Sequence, residues 1–314
     1  MESFKEQLVK PPALRPGDTV GIVAPASNIK ASDLEAGCAA LRRAGYIPFY
    51  LDSILEQDLY FAGSVNRRIN ELHEMFSNDD VRAIVCARGG YGTNYLLSAL
   101  DLKIIEAHPK IFVGYSDITS LLTFFTAAGL ITFHGPMAAK DWAHEDGVNL
   151  LSWHAAVSGA IPWDVPMNAG AQGLVEGDAL GRLNGGCLSI LVASLGTPNE
   201  IQTQGTILFL EDIAAKPFQI DRMLMQLKLA GKFSEVRGIV FGEMPGCVQS
   251  PNQGYTLQEV VTRIVGDLGV PIIFGLRSGH VTAGNITLPF GVQARLTINS
   301  GNVALKILES AVQL

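Results

Sequence analysis

Short apolar, β-branched runs alternate with amphipathic stretches along the first half of the chain, and this alternation constrains the fold most. Thr19–Ala24 (TVGIVA) precedes the amphipathic segment Ser32–Ala44, and the apolar pattern returns at Arg82–Ala87 (RAIVCA) and Ile111–Gly114. Strands this short and apolar are typical of parallel sheets that helices cover on both faces. The pattern therefore predicts an α/β fold with a parallel sheet in the N-terminal half.

The same periodicities predict the other elements. Val65–Phe76 is predicted as a helix with Arg67, Arg68 and Glu71 on its solvent face, and Leu183–Leu195 as a helix entered through glycines. The remaining predicted strands are Ile47–Leu51, Thr206–Leu210, Gly238–Phe241, Pro271–Phe274 and short segments from Asn285 to Leu308; the remaining predicted helices are Asp117–Ala128, Phe218–Ala230 and Leu257–Leu268.

The stretch Ser158–Gly173 interrupts this pattern. It is rich in Gly, Pro and Ala and has neither a helical nor a strand period, which is typical of a connection between domains. A chain of 314 residues also suits two domains of ordinary size. We expect an N-terminal domain over 13–160, a linker over 161–173 and a C-terminal domain over 174–310.

Charge and composition exclude several partners. With 23 basic and 30 acidic residues the net charge is −7, which disfavours nucleic acid and anionic membranes because both require a dense basic face. The N-terminal segment lacks the apolar stretch of a signal peptide, so we expect a cytoplasmic protein. The four cysteines, Cys38, Cys86, Cys187 and Cys247, lack the spacing of a zinc site or a disulfide framework, so we expect small buried side chains and no metal.

A serine follows one of the predicted strands directly. Gly114-Tyr115-Ser116-Asp117 closes the strand and opens the next helix. On such a turn a serine hydroxyl is exposed above the sheet, and backbone N–H groups of the helix start can stabilise an oxyanion. Ile118 replaces the second glycine of the usual nucleophile motif. Ser116 could equally be an N-cap, which serine favours in any strand-to-helix loop.

The glycine-rich turn Arg88–Gly92 follows another predicted strand. Its glycines allow backbone N–H groups to approach a bound group closely, so Gly90 is a candidate oxyanion donor together with the N–H of Asp117. The turn does not have the spacing of a nucleotide-phosphate loop. An ordinary tight turn is the alternative.

A carboxylate pair and a histidine follow two strands of the second half. Glu211-Asp212 ends one strand and could orient a histidine, bind a metal or be solvated, and Asp212 could equally cap the following turn. His280 lies in the loop after another strand; His134, at the end of a short apolar run, is the rival candidate base. Ligands of open parallel sheets bind beyond the carboxyl ends of the strands. A serine, a carboxylate and a histidine at such ends predict a catalytic triad in a cleft between the two halves.

Several long stretches of the chain, in a fixed order, resemble one known family. They are LRPGDTVGIVAPAS (14–27), ARGGYG (87–92), GYSDITSLL (114–122), FHGPM (133–137), GRLNGGCLSIL (181–191), FLEDIAAKPFQIDRMLMQL (209–227), the segment Gly275–His280 and ITLPFG (286–291). On these motifs the chain resembles the LD-carboxypeptidase family, which also contains the microcin C immunity peptidases.

This resemblance implies a fold, an activity and a site. The fold would be a flavodoxin-like N-terminal domain with a smaller C-terminal α/β domain, and the enzyme would use no metal or cofactor. Ser116 would be the nucleophile, Glu211 the orienting acid and His280 the general base, with the backbone N–H groups of Gly90 and Asp117 as oxyanion hole. The activity would be release of terminal D-alanine from a murein tetrapeptide during cytoplasmic cell-wall recycling, by an enzyme expected to be a homodimer.

Two departures and two alternatives accompany the resemblance. Cys187 stands where the family often has asparagine, and Asn70 where a helix aspartate is usual. An immunity-type peptidase that cleaves an acyl-sulfamoyl aspartyl-nucleotide would need an aromatic side chain to stack on the base, for which Trp142, Trp153 and Trp163 are available. The other alternative is a two-domain protein that binds a small ligand without chemistry.

Overall fold

Two β-sheets form the framework of the molecule, which the computed structural model describes over residues 8–249 and 253–314. Residues 1–7, part of the segment in which no signal peptide was expected, lie outside this description. The strands are β1 (Thr19–Val23), β2 (Ile47–Phe49), β3 (Val81–Cys86), β4 (Ile111–Gly114), β5 (Thr132–His134), β6 (Trp163–Asp164), β7 (Gln172–Val175), β8 (Gly177–Cys187), β9 (Thr206–Glu211), β10 (Gly238–Gly242), β11 (Ile272–Leu276), β12 (Leu288–Phe290), β13 (Gln293–Asn299) and β14 (Asn302–Ile307). The helices are α1 (Ala31–Arg43), α2 (Val65–Ser77), α3 (Leu102–Ala107), α4 (Thr119–Ala127), α5 (Leu150–Ser158), α6 (Leu188–Ala193), α7 (Pro217–Leu229) and α8 (Leu257–Val265).

The first sheet is parallel and doubly wound. Its strand order is β2-β1-β3-β4-β5-β12, where β1 to β5 are parallel and β12 pairs antiparallel with β5. The order 2-1-3-4-5 is that of flavodoxin-like sheets, in which the ligand crevice opens where the strand order reverses, between β1 and β3. The predicted α/β fold with a parallel N-terminal sheet is confirmed. No helix among the described residues combines the length and apolarity needed to cross a bilayer.

The second sheet is mixed, with the order β6-β14-β13-β8-β9-β10-β11-β7 and a parallel centre from β8 to β11. The predicted helix Leu183–Leu195 is wrong in its first part, because β8 continues to Cys187 before α6 begins. A Cβ on Gly185 would overlap the Phe209 carbonyl on β9. The glycines therefore allow close strand pairing and do not start a helix. The other predicted elements occur with ends shifted by at most three residues.

The polar side of α2 is buried, which corrects the predicted solvent face. Arg68 and Glu71 are 1% and 0% exposed. Glu71 accepts a hydrogen bond from the Ala24 N–H (2.8 Å) and pairs with Arg67, while Arg68 donates to the carbonyls of Pro25 (2.9 Å) and Gly92 (2.8 Å). The periodicity of a helix shows which residues share its polar face. It does not show whether that face contacts solvent or a polar loop. The face supports the loops that follow β1 and β3.

One strand from the second half of the chain joins the first sheet, and one of the two clusters of buried apolar side chains spans both sheets. β12 comes late in the sequence yet is the edge strand of the first sheet. A single cluster of buried apolar side chains contains Phe133 of the first sheet and Phe209 of the second. Within 161–173, the predicted linker, β6 already pairs with β14. The division at 161–173 stays a prediction.

Candidate active site

Ser116 lies on a strained turn at the carboxyl end of β4. Its φ is +63°, a left-handed conformation that is rare outside glycine and is concentrated at functional sites. The N-cap positions of this short 3₁₀ turn and of α4 are Tyr115 and Ile118, so Ser116 occupies neither. The N-cap alternative is therefore wrong. The serine therefore lies on a sharp, strained turn between a strand and a helix, which is the backbone arrangement of a nucleophile elbow.

The glycine turn after β3 packs directly against this serine. A Cβ on Gly89 would lie 2.7 Å from Ser116 Cβ and 3.0 Å from its Oγ. Gly90 has φ +116°, and a Cβ there would overlap the side chain of Ser27, whose Oγ accepts a hydrogen bond from the Tyr91 N–H (3.1 Å). Gly89 and Gly90 therefore contact Ser116 and Ser27 so closely that a Cβ would not fit. An ordinary surface turn would not require glycine for this reason.

Asp117 fastens the serine turn to the glycine turn. Its buried carboxylate accepts a hydrogen bond from the Thr93 N–H (2.9 Å), and the Thr93 hydroxyl donates to the Asp117 carbonyl (2.7 Å). Burial raises the pKa of Asp117, while these hydrogen bonds and the nearby Arg68 oppose the increase. The relative position of the two turns is thus fixed by buried polar contacts.

Glu211 ends β9 and is 0% exposed. In the sheet register it lies opposite Cys187 at the end of β8. A Cβ on Gly242, at the end of β10, would lie 2.6 Å from Glu211 Cβ, and one on Gly279 would lie 2.7 Å from its carboxyl carbon. The two glycines leave just enough room for the carboxylate.

Glu211 binds and orients His280. One carboxylate oxygen, Oε2, accepts hydrogen bonds from the His280 ring Nδ1 (2.7 Å) and from the His280 backbone N–H (3.0 Å). Burial alone would raise the pKa of Glu211, but His280 and His134 more than offset it and bring the pKa to about 2. Burial tends to lower the pKa of His280, but the attraction of Glu211 outweighs it, so that pKa is raised.

His134, the rival candidate base, lies behind Glu211 and away from the cleft. It is 0% exposed, and burial lowers its pKa. Its Nδ1 is 3.0 Å from Ser278 Oγ, and its Nε2 is 3.9 Å from Glu211 Oε1. Among the described residues, these two facing atoms, Nε2 and Oε1, are both buried without a hydrogen-bond partner.

Tyr115 and Asp141 connect the serine turn with the histidine loop, and the sequence analysis did not identify either. The Tyr115 ring meets the His280 ring edge to face at 5.1 Å, and its hydroxyl donates to Asp141 Oδ1 (3.3 Å). Burial raises the pKa of Asp141 to about 6. Asn285 binds both the N–H (3.0 Å) and the carbonyl (3.2 Å) of Gly279 and so holds the loop. The only available signal was the position of Tyr115 beside Ser116.

Ser116 and His280 border one cleft of about 760 Å³. Gly89 and Gly90 line it too, while Glu211 supports His280 from behind. The predicted residues from the two halves therefore meet at one place, at the carboxyl ends of both sheets. A buried carboxylate, an imidazole and a serine hydroxyl on a strained turn beside a cleft are the components of nucleophilic acyl transfer.

Both halves of the chain match family profiles. A profile described as LD-carboxypeptidase N-terminal domain matches residues 20–135, and one described as LD-carboxypeptidase C-terminal domain matches residues 180–296.

Individual relatives match over nearly the whole chain. A probable murein peptide carboxypeptidase of Bacillus subtilis is 38% identical over 91% of this chain and 91% of its own length. The microcin C7 self-immunity protein of Escherichia coli is 28% identical over 92% of this chain and 93% of its own length. The crystal structure of a muramoyltetrapeptide carboxypeptidase from Oxalobacter formigenes superposes with a TM-score of 0.82 at 28% identity, over 93% of this chain and 99% of that one.

Proposed function

The chain belongs to the LD-carboxypeptidase family and is an LD-carboxypeptidase by class, and we propose that it releases terminal D-alanine from murein tetrapeptides through an acyl-enzyme on Ser116. The observation that carries the proposal is the meeting of a serine on a strained turn with a Glu211–His280 pair at one cleft. A murein tetrapeptide as substrate is supported by the names of the relatives from B. subtilis and O. formigenes.

His280 is the general base of this mechanism. Its Nδ1 donates to Glu211, so Nε2 is the nitrogen available to accept the proton of Ser116. The serine oxygen then attacks the carbonyl carbon of the diamino acid that precedes D-alanine. Glu211 fixes the imidazole orientation and stabilises the imidazolium that forms.

Backbone N–H groups of Gly90 and Asp117 stabilise the tetrahedral oxyanion. The close contact between Gly89 and Ser116 brings the glycine turn next to the attacking oxygen, and Thr93 holds the Asp117 turn in place. Donors that are fixed before the reaction stabilise the developing charge without reorganisation. His280 then protonates the leaving amine, and water attacks the acyl-enzyme with His280 again as base.

The charges of the cleft suit a peptide that ends in a carboxylate. Among the cleft-lining residues that the structure describes, Lys30, Arg88 and Lys140 are cationic and Asp33 is the single carboxylate. A preponderance of cationic side chains attracts an anionic substrate to the cleft.

The relative from E. coli favours a second candidate, an immunity-type peptidase that cleaves an acyl-sulfamoyl aspartyl-nucleotide. That substrate needs an aromatic side chain to stack on the base. Trp142 and Trp153 are buried and pack against each other, with ring centroids 5.2 Å apart, and Trp163 lies in β6. None of the three is among the cleft-lining residues that the structure describes, which supports the tetrapeptide as the main proposal.

The deciding experiment measures free D-alanine from purified murein tetrapeptide. Ser116→Ala and His280→Ala should each lower kcat by about 10⁴-fold or more, because a triad acts as a unit. Ser120→Ala, one turn along the same segment and outside the cleft, should retain wild-type turnover. Turnover by Ser116→Ala would refute the serine mechanism.

Two further assays separate the alternatives. An acyl-sulfamoyl aspartyl-nucleotide, tested beside the tetrapeptide, should be the poorer substrate by kcat/KM; the reverse order would establish the immunity-type activity. A serine-directed phosphonate should label Ser116, because an activated serine reacts, whereas a protein that only binds a ligand would stay unlabelled.

We also propose that the enzyme acts in the cytoplasm as a homodimer, without a metal cofactor and without a nucleic-acid or membrane partner. The net charge of −7 supports the last point. Sedimentation at several protein concentrations tests the dimer, and cell fractionation tests the location.

A further inference from the structure

Three different metal-binding side chains lie together beside the cleft. Cys187 ends β8, Glu211 lies opposite it at the end of β9, and His280 follows β11. One sulfur, one carboxylate oxygen and one ring nitrogen of these residues all lie within 4.8 Å of one another. The backbone N–H of Cys187 is fixed by a hydrogen bond to Thr119 Oγ1 at 3.0 Å. The cysteine is therefore held next to the catalytic pair by sheet register and by α4.

A second observation points to a cation at this place. Glu211 Oε1, the carboxylate oxygen that His280 does not engage, is buried without a hydrogen-bond partner, and so is His134 Nε2, 3.9 Å away. Buried polar atoms normally find a partner, so each exception needs an explanation. A cation beside Oε1 would supply the partner that the protein does not.

We propose that Cys187, Glu211 and His280 form a binding site for a thiophilic divalent ion such as Zn²⁺, and that the ion inhibits the enzyme. Zinc binds thiolate at about 2.3 Å and imidazole or carboxylate at about 2.0–2.2 Å, with tetrahedral geometry. Ligand atoms around one such ion lie roughly 3.5 Å apart, and the three ligand atoms here lie within 4.8 Å of one another, so adjustments on the order of 1 Å would bring them to these distances.

Binding would remove the groups on which the proposed reaction depends. The ion takes a nitrogen of His280 and an oxygen of Glu211, so the imidazole can no longer be held as the base for Ser116. The Cys187 thiol releases its proton to the buffer as the metal–sulfur bond forms. Water supplies the fourth ligand. The ion is thus an inhibitor, and the hydrolysis that it blocks needs no metal.

The first test is Zn²⁺ titration of D-alanine release, with each variant compared with its own metal-free rate. This assay rests on the proposed function. Loss of even an outer partner of a metal ligand lowers affinity by about 10–100-fold, so Cys187→Ala should raise the half-inhibitory Zn²⁺ concentration at least about tenfold. Cys38→Ala, a buried cysteine of α1 outside this group, should keep the wild-type value. Equal sensitivity of Cys187→Ala and wild type would overturn the proposal.

The second test does not depend on turnover. Co²⁺ added to the full chain should give a cobalt–thiolate charge-transfer band in wild type and Cys38→Ala, and none in Cys187→Ala. A band that persists in Cys187→Ala, or none in wild type, would also overturn the proposal. If the protein does not cleave tetrapeptide but the cobalt band depends on Cys187, the proposed substrate fails while the metal site stands.

Discussion

Ser278 connects the ring of His134 to the backbone of Ile286. Its Oγ lies 2.9 Å from the Ile286 carbonyl and 3.0 Å from His134 Nδ1. Both contacts are within hydrogen-bond distance, and the tautomer of His134 sets which of them receives the hydroxyl proton. The other ring nitrogen, Nε2, faces Glu211 Oε1 at 3.9 Å, and burial lowers the pKa of His134.

Glu211 thus lies between two histidines whose pKa values are shifted in opposite directions. His280 donates to it and has a raised pKa, whereas His134 is buried behind it and has a lowered pKa. Only His280 borders the cleft. This asymmetry supports the proposal that His280, and not His134, is the base for Ser116.

The rate should depend on the protonation of His280. A base must be neutral to accept a proton, so kcat/KM should rise with pH through the pKa of His280, which Glu211 raises above its ordinary value. Glu211→Gln removes that attraction, so the pKa of His280 should fall. The acid limb of the profile should then move to lower pH, while the maximal rate drops.

The control for this profile is Glu259→Gln, which removes a carboxylate at the exposed N-terminus of α8. Its acid limb should coincide with that of wild type. An unmoved limb in Glu211→Gln, measured on the residual activity, would mean that another group controls the rate.

At the scale of elements, the loop between β11 and β12 carries the histidine and fits closely over β9. The contact is made by Gly279, whose φ is +89°. Its position is fixed by Asn285, which binds both backbone polar groups of Gly279. The loop is therefore held against Glu211 by Gly279 and Asn285, and this sets the distance between Glu211 and His280.

Gly279→Ala should damage catalysis more than stability. The added Cβ would lie 2.7 Å from the Glu211 carboxyl carbon and would separate the acid from His280, so kcat should fall about 100-fold or more, as misplacement by about 1 Å does. The measurement is kcat for D-alanine release together with the free energy of unfolding in urea.

Gly284→Ala is the matched control for this substitution, since Gly284 lies in the same loop with φ +61° and has nothing within 4 Å of an added Cβ. Gly284→Ala should lower the free energy of unfolding by about 1–2 kcal/mol through backbone strain alone, with kcat nearly unchanged. Equal losses of kcat in both variants would attribute the effect to strain alone.

At the scale of the molecule, the two halves are joined through aromatic packing around His134. Phe290 of β12 lies 5.5 Å from the His134 ring and 6.4 Å from the Phe209 ring, measured between centroids. It is 0% exposed. One buried side chain thus contacts the first sheet and the second sheet at the base of the site.

Unfolding in urea should therefore be a single transition. Far-UV circular dichroism, which reports on both sheets, should coincide with the fluorescence change of the buried Trp142 and Trp153. Phe290→Ala should shift both curves together by about 3–5 kcal/mol. Leu229→Ala, at a side chain that is 78% exposed, should change stability by less than about 0.5 kcal/mol. Separate transitions for the two probes would contradict this coupling.

The sequence by itself determined the α/β fold and the parallel first sheet, and it predicted Ser116, Glu211 and His280 as the site residues of the proposed mechanism. These follow from local patterns, because strands that are buried on both faces must be apolar throughout and reactive side chains stand out where such strands end. The predicted solvent exposure of Arg68 and Glu71 and the helix predicted at the glycines of β8 were wrong. Periodicity shows which residues share a face of an element, but not which segment packs against that face or pairs with that strand.

Only the tertiary structure determined the rest. It gave Ser116 a φ of +63°, placed His134 behind Glu211, placed Cys187 beside Glu211 and His280, and made β12 an edge of the first sheet. Each of these depends on a contact between segments that are far apart in the chain. Such contacts are decided by the packing of the whole core and by strand register, so no short stretch of residues contains them.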